Sequence, residues 1–218
     1  VSRAICFETA MAIDLSKQEN SEELRDRAAF LTPIAKAFST DSGCRVAELA
    51  VQVHGGMGYI RDTGVEQFYR DVRITAIYEG TNGIQAMDLV GRKLSKNGKT
   101  AKALIKEIEN TEKACAKTNS FSPEIIKKIK SARCDLYQTL DWMVNTNNLN
   151  DRFSGATPFL KAFGLVLGAH YLIKSALASQ DTERCSIAKF YVNNILPESH
   201  AATQASVNGS VELYEISF

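Results

Sequence analysis

Ile77-Tyr78-Glu79-Gly80-Thr81-Asn82-Gly83-Ile84-Gln85 places an acid in a turn, beside a glycine and directly ahead of a helix start. Thr81 or Asn82 can cap that helix by accepting its orphan N–H groups. Ile84, Met87, Gly91 and Leu94 then share one helical face. A carboxylate held just before a helix, with Gly80 letting a ligand approach the backbone, is placed for proton abstraction. The plainer reading is that Glu79 only complements the positive end of the helix dipole, and these nine residues alone favour it.

Working outward, Gln52-Val53-His54-Gly55-Gly56-Met57-Gly58-Tyr59 closes a long amphipathic helix in three closely spaced glycines. Phe68-Tyr69-Arg70-Asp71-Val72-Arg73-Ile74 follows, and then the Glu79 turn. The helix ending at His54 is expected to begin near Arg25 or Thr32, with Pro33 in its first turn. Its buried side is expected to be Ala35, Phe38, Val46, Leu49 and Val53. Before it, Ala4, Phe7, Met11 and Leu15 form the stripe of a first helix, broken at Ser21-Glu22-Glu23. Asp62-Thr63-Gly64 starts a short helix carrying Val65, Phe68, Tyr69 and Val72. Arg70, Asp71 and Arg73 read as a salt-bridge cluster that fixes the loop before Glu79.

Beyond Leu94 the polar stretch Ser95-Lys96-Asn97-Gly98-Lys99 reads as a linker, dividing a unit of residues 1–95 from one of 96–218. The second unit is again helical. Ala103, Ile105, Ile108 and Ala114 mark one helix, and Pro123 starts another with Ile126, Ile129, Leu136, Leu140 and Met143. A third follows Ser154 to Pro158, a fourth spans about Thr182 to Leu196, and the tail from Ala201 to Phe218 can add a short one. Helices joined by short loops predict an all-α fold, two antiparallel bundles in sequence. No internal repeat and no strand-like alternation is present.

Composition narrows the function classes. Hydrophobic residues make up 44% and charged residues 23% of 218 residues, with a formal net charge of +1, which gives no reason to expect nucleic acid or another polyanion. Lys127, Lys128, Lys130 and Arg133 surround a helix whose other face is apolar, so they read as a solvated face. The five cysteines show no CxxC spacing and read as reduced, mostly buried thiols in a cytoplasmic setting with no metal site. The apolar run Phe159–Ala178 is interrupted by Lys161, His170 and Lys174, so a core helix is expected in place of a membrane span. Gly164 and Gly168, four apart, allow close helix contact, and His170 is expected to be a hydrogen-bonded core residue.

Taken in order, the glycine-rich helix end, the Phe68–Ile74 segment and the Tyr78-Glu79-Gly80-Thr81 turn resemble the C-terminal domain of the acyl-CoA dehydrogenase family, without a gap from about Arg27 to Leu94. Leu160–Gly168 and Ala188–Pro197 look similar to the extra helical domain of a bacterial subgroup that includes 3-methylmercaptopropionyl-CoA dehydrogenase. The resemblance implies an FAD enzyme that oxidises acyl-CoA to trans-2-enoyl-CoA. Glu79 would remove the α-proton, while hydride leaves the β-carbon for the flavin. The thioester oxygen must be stabilised as it gains enolate character. In the family, the backbone N–H of this Glu and a flavin ribityl hydroxyl do so. Closure around the thioester would desolvate the carboxylate and strengthen it as a base.

The same resemblance assigns Gln52, Val53, His54, Gly55 and Gly56 to FAD contacts, often to the cofactor held mainly by a partner subunit. Thr81, Asn82 and Gly83 are assigned to FAD on the catalytic side, and Gly80 to substrate. Gln85 could equally serve helix packing. It also implies a homodimer or dimer of dimers and an electron-transfer flavoprotein as acceptor. Two positions depart from the family pattern: Ala86 stands where many members have Arg, and Asp88 where apolar residues are usual. Much of the pocket would come from amino-terminal domains that this chain does not contain, so these residues are expected to form an inactive C-terminal fragment. Two other readings remain: a non-catalytic binding module on the same fold, and an oligomerisation module.

Overall fold

The computed structural model describes residues 1–179 and 181–216, and every regular element among them is helical. Helix α1 (Ser2–Gln18) leads into α2 (Glu22–His54), a rod of 33 residues. Ser21 caps α2 in an extended conformation, its Oγ accepting from the Leu24 N–H at 3.3 Å, with Glu22 and Glu23 in the favourable first turn. Pro33 therefore sits well inside the helix and not in its first turn. Tertiary burial overrides its helix-breaking tendency, since Leu31, Pro33 and Ile34 are all buried. Gly55 ends α2 at φ 59°, ψ −143°, a conformation open in practice only to glycine.

Short elements follow along the distal part of α2: α3 (Gly56–Tyr59), a 3-10 turn at Arg61–Thr63, α4 (Val65–Val72) and a second 3-10 turn at Arg73–Ala76. After the Glu79 turn comes α5 (Asn82–Asp88), which runs into a π-helical turn at Leu89–Lys93. The second half holds α6 (Ser95–Cys115), α7 (Pro123–Asn145), α8 (Leu149–Ser154), α9 (Ala156–Ser179), α10 (Thr182–Asn194), α11 (Glu198–Ala205) and α12 (Val211–Glu215). Proline at the first position suits the start of α7. Helices α8 and α11 were not foreseen. The tail expectation is met by α12, although residues 217 and 218 lie outside the described residues.

Helix α9 is the hub. It packs against α1, α2, α5, α6, α7, α10 and α11, and Phe159, Phe163, Leu167 and Ala162 are fully enclosed. Its one long apolar window is 78% buried among the other helices. Gly164 lies under the Phe38 ring of α2, and Gly168 lies under Tyr191 of α10 and Val1, so both serve close helix contact. Phe30 meets Phe163 edge-on at 5.0 Å between ring centres. The apolar core is continuous from Ile5 to Ala202. The Ser95–Lys99 stretch is polar and exposed except for Gly98; Lys96, Asn97 and Gly98 turn through left-handed conformations, and Gly98 packs against Leu140 and Val144.

Several expected faces are rotated. In α1 the buried residues are Ile5, Thr9, Ala12 and Ser16, while Phe7 and Met11 are exposed. Small residues let α1 lie close on α2, and the buried hydroxyls are satisfied within the helix, Thr9 Oγ1 to Ile5 O and Ser16 Oγ to Ile13 O. On α5 the inward face begins at Ala86. Ala86, Leu89, Val90 and Leu94 are buried, and Ile84 and Met87 point outward. The distal half of α2 keeps only Ala47 inside, leaving Val46, Leu49 and Val53 exposed. Of the cysteines, only Cys115 is buried, and burial raises its thiol pKa to about 11.

Candidate functional site

The Glu79 turn lies against the middle of α2. Glu79 adopts φ 54°, the left-handed region that a residue with a Cβ rarely enters, and Gly80 follows at φ 85°. Both carbonyls are held. Gln85 Nε2, one turn into α5, donates to Glu79 O at 3.0 Å. Lys36 Nζ donates to Gly80 O and to Asn82 Oδ1, each at 2.7 Å. Thr81 caps α5 by accepting from the Ile84 N–H at 3.5 Å, as expected for that position.

Asn82 is fastened further. Its Nδ2 donates to Asp41 Oδ1 at 2.6 Å, Thr40 Oγ1 at 2.9 Å and Ala37 O at 3.3 Å. The structure thus directs the Asn82 side chain to α2. Lys36, Thr40 and Asp41 escaped the sequence reading. Their spacing along one helix face, within an otherwise small and apolar stretch, was the available signal. The Glu79 side chain is exposed and makes no ion pair among the described residues. Arg70, Asp71 and Arg73 do not form the expected cluster. Arg70 pairs with Glu66 at 3.6 Å one turn earlier, and Asp71 and Arg73 stand exposed.

Gln52, Val53, His54, Gly55 and Gly56 are all exposed at the far end of α2. At 1.5 Å per residue they stand about 20 Å along the helix from the Glu79 turn. The two groups of predicted cofactor residues therefore do not converge within this chain. His54 Nδ1 bonds only to Ala50 O, at 2.8 Å. Around Glu79 and along distal α2 lies a wide apolar surface that includes Val53, Met57, Phe68, Ile77, Tyr78 and Ile84. A cavity of about 760 Å³ opens elsewhere, between the α6–α7 connection and α10. Among the described residues, no cluster of His, Cys, Asp or Glu is arranged to hold a metal.

The described residues thus form an all-helical body with an exposed Glu-Gly turn held against a long helix, and the comparisons give its family. Residues 1–94 match the family described as acyl-CoA dehydrogenase, C-terminal domain, and residues 104–217 match acetyl-CoA dehydrogenase C-terminal like. The chain belongs to the acyl-CoA dehydrogenase family. It is 37% identical over 217 residues to 3-methylmercaptopropionyl-CoA dehydrogenase of Ruegeria pomeroyi, covering 96% of this chain and 37% of that protein. It is 27% identical over 226 residues to butyryl-CoA dehydrogenase of Syntrophomonas wolfei, covering 93% of this chain and 37% of that one. Caenorhabditis elegans ACDH-11, solved in complex with C11-CoA, superposes with a TM-score of 0.76 over 88% of this chain and 33% of its own, at 21% identity. That likeness concerns the fold. The chain spans about a third of the length of these relatives.

Proposed function

We propose that this chain is the base-carrying, C-terminal part of an FAD-dependent acyl-CoA dehydrogenase that oxidises acyl-CoA to trans-2-enoyl-CoA. The observation that carries the reading is the Glu79 turn: an exposed carboxylate, without an ion pair among the described residues, on a backbone held in the left-handed region by bonds from α2 and α5. Strain of this kind concentrates at functional sites. An α-proton beside a thioester is weakly acidic, so its removal needs a base at fixed range and donors at the developing oxyanion. The Glu79 carboxylate takes that proton. The Glu79 N–H and a flavin ribityl hydroxyl would face that oxyanion, and the bonds to the Glu79 and Gly80 carbonyls hold the turn that carries the base.

Gln52–Gly56 and Thr81–Gly83 are the residues that would hold FAD, which when bound supplies the acceptor for the β-hydride. Gly55, Gly56 and Gly83 fit this assignment, because nothing lies within 4 Å of where a Cβ would stand and a large ligand can approach their backbone. With about 20 Å of helix between the two groups, each is suited to border a different flavin in an assembly, which favours a homodimer or dimer of dimers. Transfer of electrons to an electron-transfer flavoprotein, a cytoplasmic location and a division of the chain near residue 95 belong to the same proposal. Residues 1–218 alone are expected to show no dehydrogenase activity.

The test is Glu79→Gln in a full-length protein that carries this chain. The assay panel includes 3-methylmercaptopropionyl-CoA, butyryl-CoA and longer acyl-CoAs, with an artificial electron acceptor. The variant keeps its yellow flavin and loses about two to four powers of ten in rate. Near-wild-type turnover would place the base elsewhere. A wild type whose flavin no acyl-CoA reduces would favour the binding-module reading.

A further inference from the structure

The geometry points to Lys36 as a positioning residue for the base: its ammonium, reaching from α2, sets the Glu79–Gly80 turn in the conformation that presents the carboxylate. This inference rests on the proposed dehydrogenase reading. Its structural half can be tested without it. Glu79 carries a Cβ at φ 54°, so the turn relaxes toward the ordinary β or right-handed regions unless other bonds oppose this. Two side chains grip its consecutive carbonyls, Gln85 at Glu79 O and Lys36 at Gly80 O.

Lys36 differs from Gln85 in origin and reach. Gln85 belongs to the helix that the turn itself begins, so it moves with the turn. Lys36 belongs to α2, 44 residues earlier, and fixes the turn relative to the rest of the fold. It does so twice, through Gly80 O and through Asn82 Oδ1. Thr40 and Asp41 hold Asn82 from the next turn of the same helix. A bond from an ammonium is stronger than one between neutral groups, and the half-buried setting of Lys36 preserves that advantage. A lysine here touches no reacting atom. It acts by locating Glu79, and small displacements of a base are costly in rate.

The experiment compares Lys36→Met, which keeps the stem and removes the donors, with Lys36→Arg, which restores them, in the full-length flavin-loaded protein. In Lys36→Met, kcat is expected to fall about tenfold or more with KM little changed, as for loss of alignment in the transition state. Tm and flavin content stay near wild type, and Lys36→Arg recovers part of the rate. Amide hydrogen exchange in the peptide spanning residues 77–85 is expected to quicken in Lys36→Met. Unchanged exchange there overturns the inference, whatever the rate does. A parallel loss of Tm, flavin and rate, without recovery in Lys36→Arg, overturns it too, because Lys36 would then be supporting the fold alone. If the wild type oxidises no acyl-CoA, the functional proposal fails, and the exchange comparison still decides the role of Lys36. If Lys36→Met does not fold, Lys36→Gln provides the same comparison with a neutral donor, expected to fall between wild type and full loss.

Discussion

At the scale of single residues, the site is a compromise between backbone comfort and presentation of a carboxylate. Holding a non-glycine residue at positive φ costs roughly 1–2 kcal/mol, and Glu79 is such a residue at φ 54°. Glu79→Gly is therefore expected to be more stable than Glu79→Ala by about 1 kcal/mol, because only glycine sheds the strained Cβ. Both variants lack the base. Paired urea melts would check the order, and an Ala variant at least as stable as the Gly variant would show that the turn is unstrained. The acid, the glycine and the Thr81 cap were legible in sequence because each acts within four residues of its partner. Lys36 was not, since its partners lie on the far side of two short helices and a loop. Gln85 was read as ambiguous, and its bond to Glu79 O gives it a definite task.

At the scale of elements, helix existence was legible and helix orientation much less so. Apolar spacing marked α1 and α2, yet it chose Phe7, Met11, Val46, Leu49 and Val53 as inward-facing, and all five are exposed. Periodicity reports that a face is apolar and does not report which partner covers it. Where the neighbour is another helix of this chain, as at Gly164 and Gly168, the reading held, because small residues mark close approach on any scale. Gly155, between α8 and α9, shows how tight such contacts become. A Cβ there would collide with the Ser206 backbone carbonyl and the Met143 side chain, whereas the nearest atoms to one at Gly164 belong to the Phe38 ring. Gly155→Ala is expected to destabilise by more than Gly164→Ala, the latter costing about 1–3 kcal/mol through overpacking. A backbone carbonyl cannot rotate away as a ring can. Denaturant melts of the two variants would settle the ranking, and the reverse order would place more freedom at the α8–α9 corner than its packing implies.

At the scale of the whole molecule, two features govern behaviour in solution. Large apolar side chains stand exposed around Glu79 and along distal α2, among them Val53, Phe68, Tyr78 and Ile84, and exposed apolar surface promotes association, so residues 1–218 alone are expected to self-associate with rising concentration. Sedimentation velocity would detect this, and a monomer at all concentrations would count against an apolar docking face. The second feature is the half-buried junction of the two halves, where Arg27 of α2 pairs with Glu8 of α1 and Glu107 of α6. His170 of α9 lies beside it, 3% exposed and so a core residue as expected, and its Nδ1 has no partner among the described residues. Burial first, then Lys174 and Arg27, lower its pKa from 6.5 to about 4, against the opposing pull of Glu107. The folded chain thus keeps His170 neutral where the unfolded chain protonates it. Between pH 6.5 and 4 the unfolded state binds more protons, so stability falls as the pH falls through that window, by up to about 3 kcal/mol from this residue. Carboxylates titrate in the same range, which makes the difference between wild type and His170→Leu the informative quantity. The variant buries a side chain of similar size without a proton site, and it should match or exceed wild type at pH 7, where an unpartnered ring nitrogen contributes nothing. Its advantage should widen steadily as the pH is lowered to about 4, following the window set by the two pKa values. A constant gap between the two proteins from pH 7 to 4 would mean that His170 is protonated as readily in the folded chain as in the unfolded one.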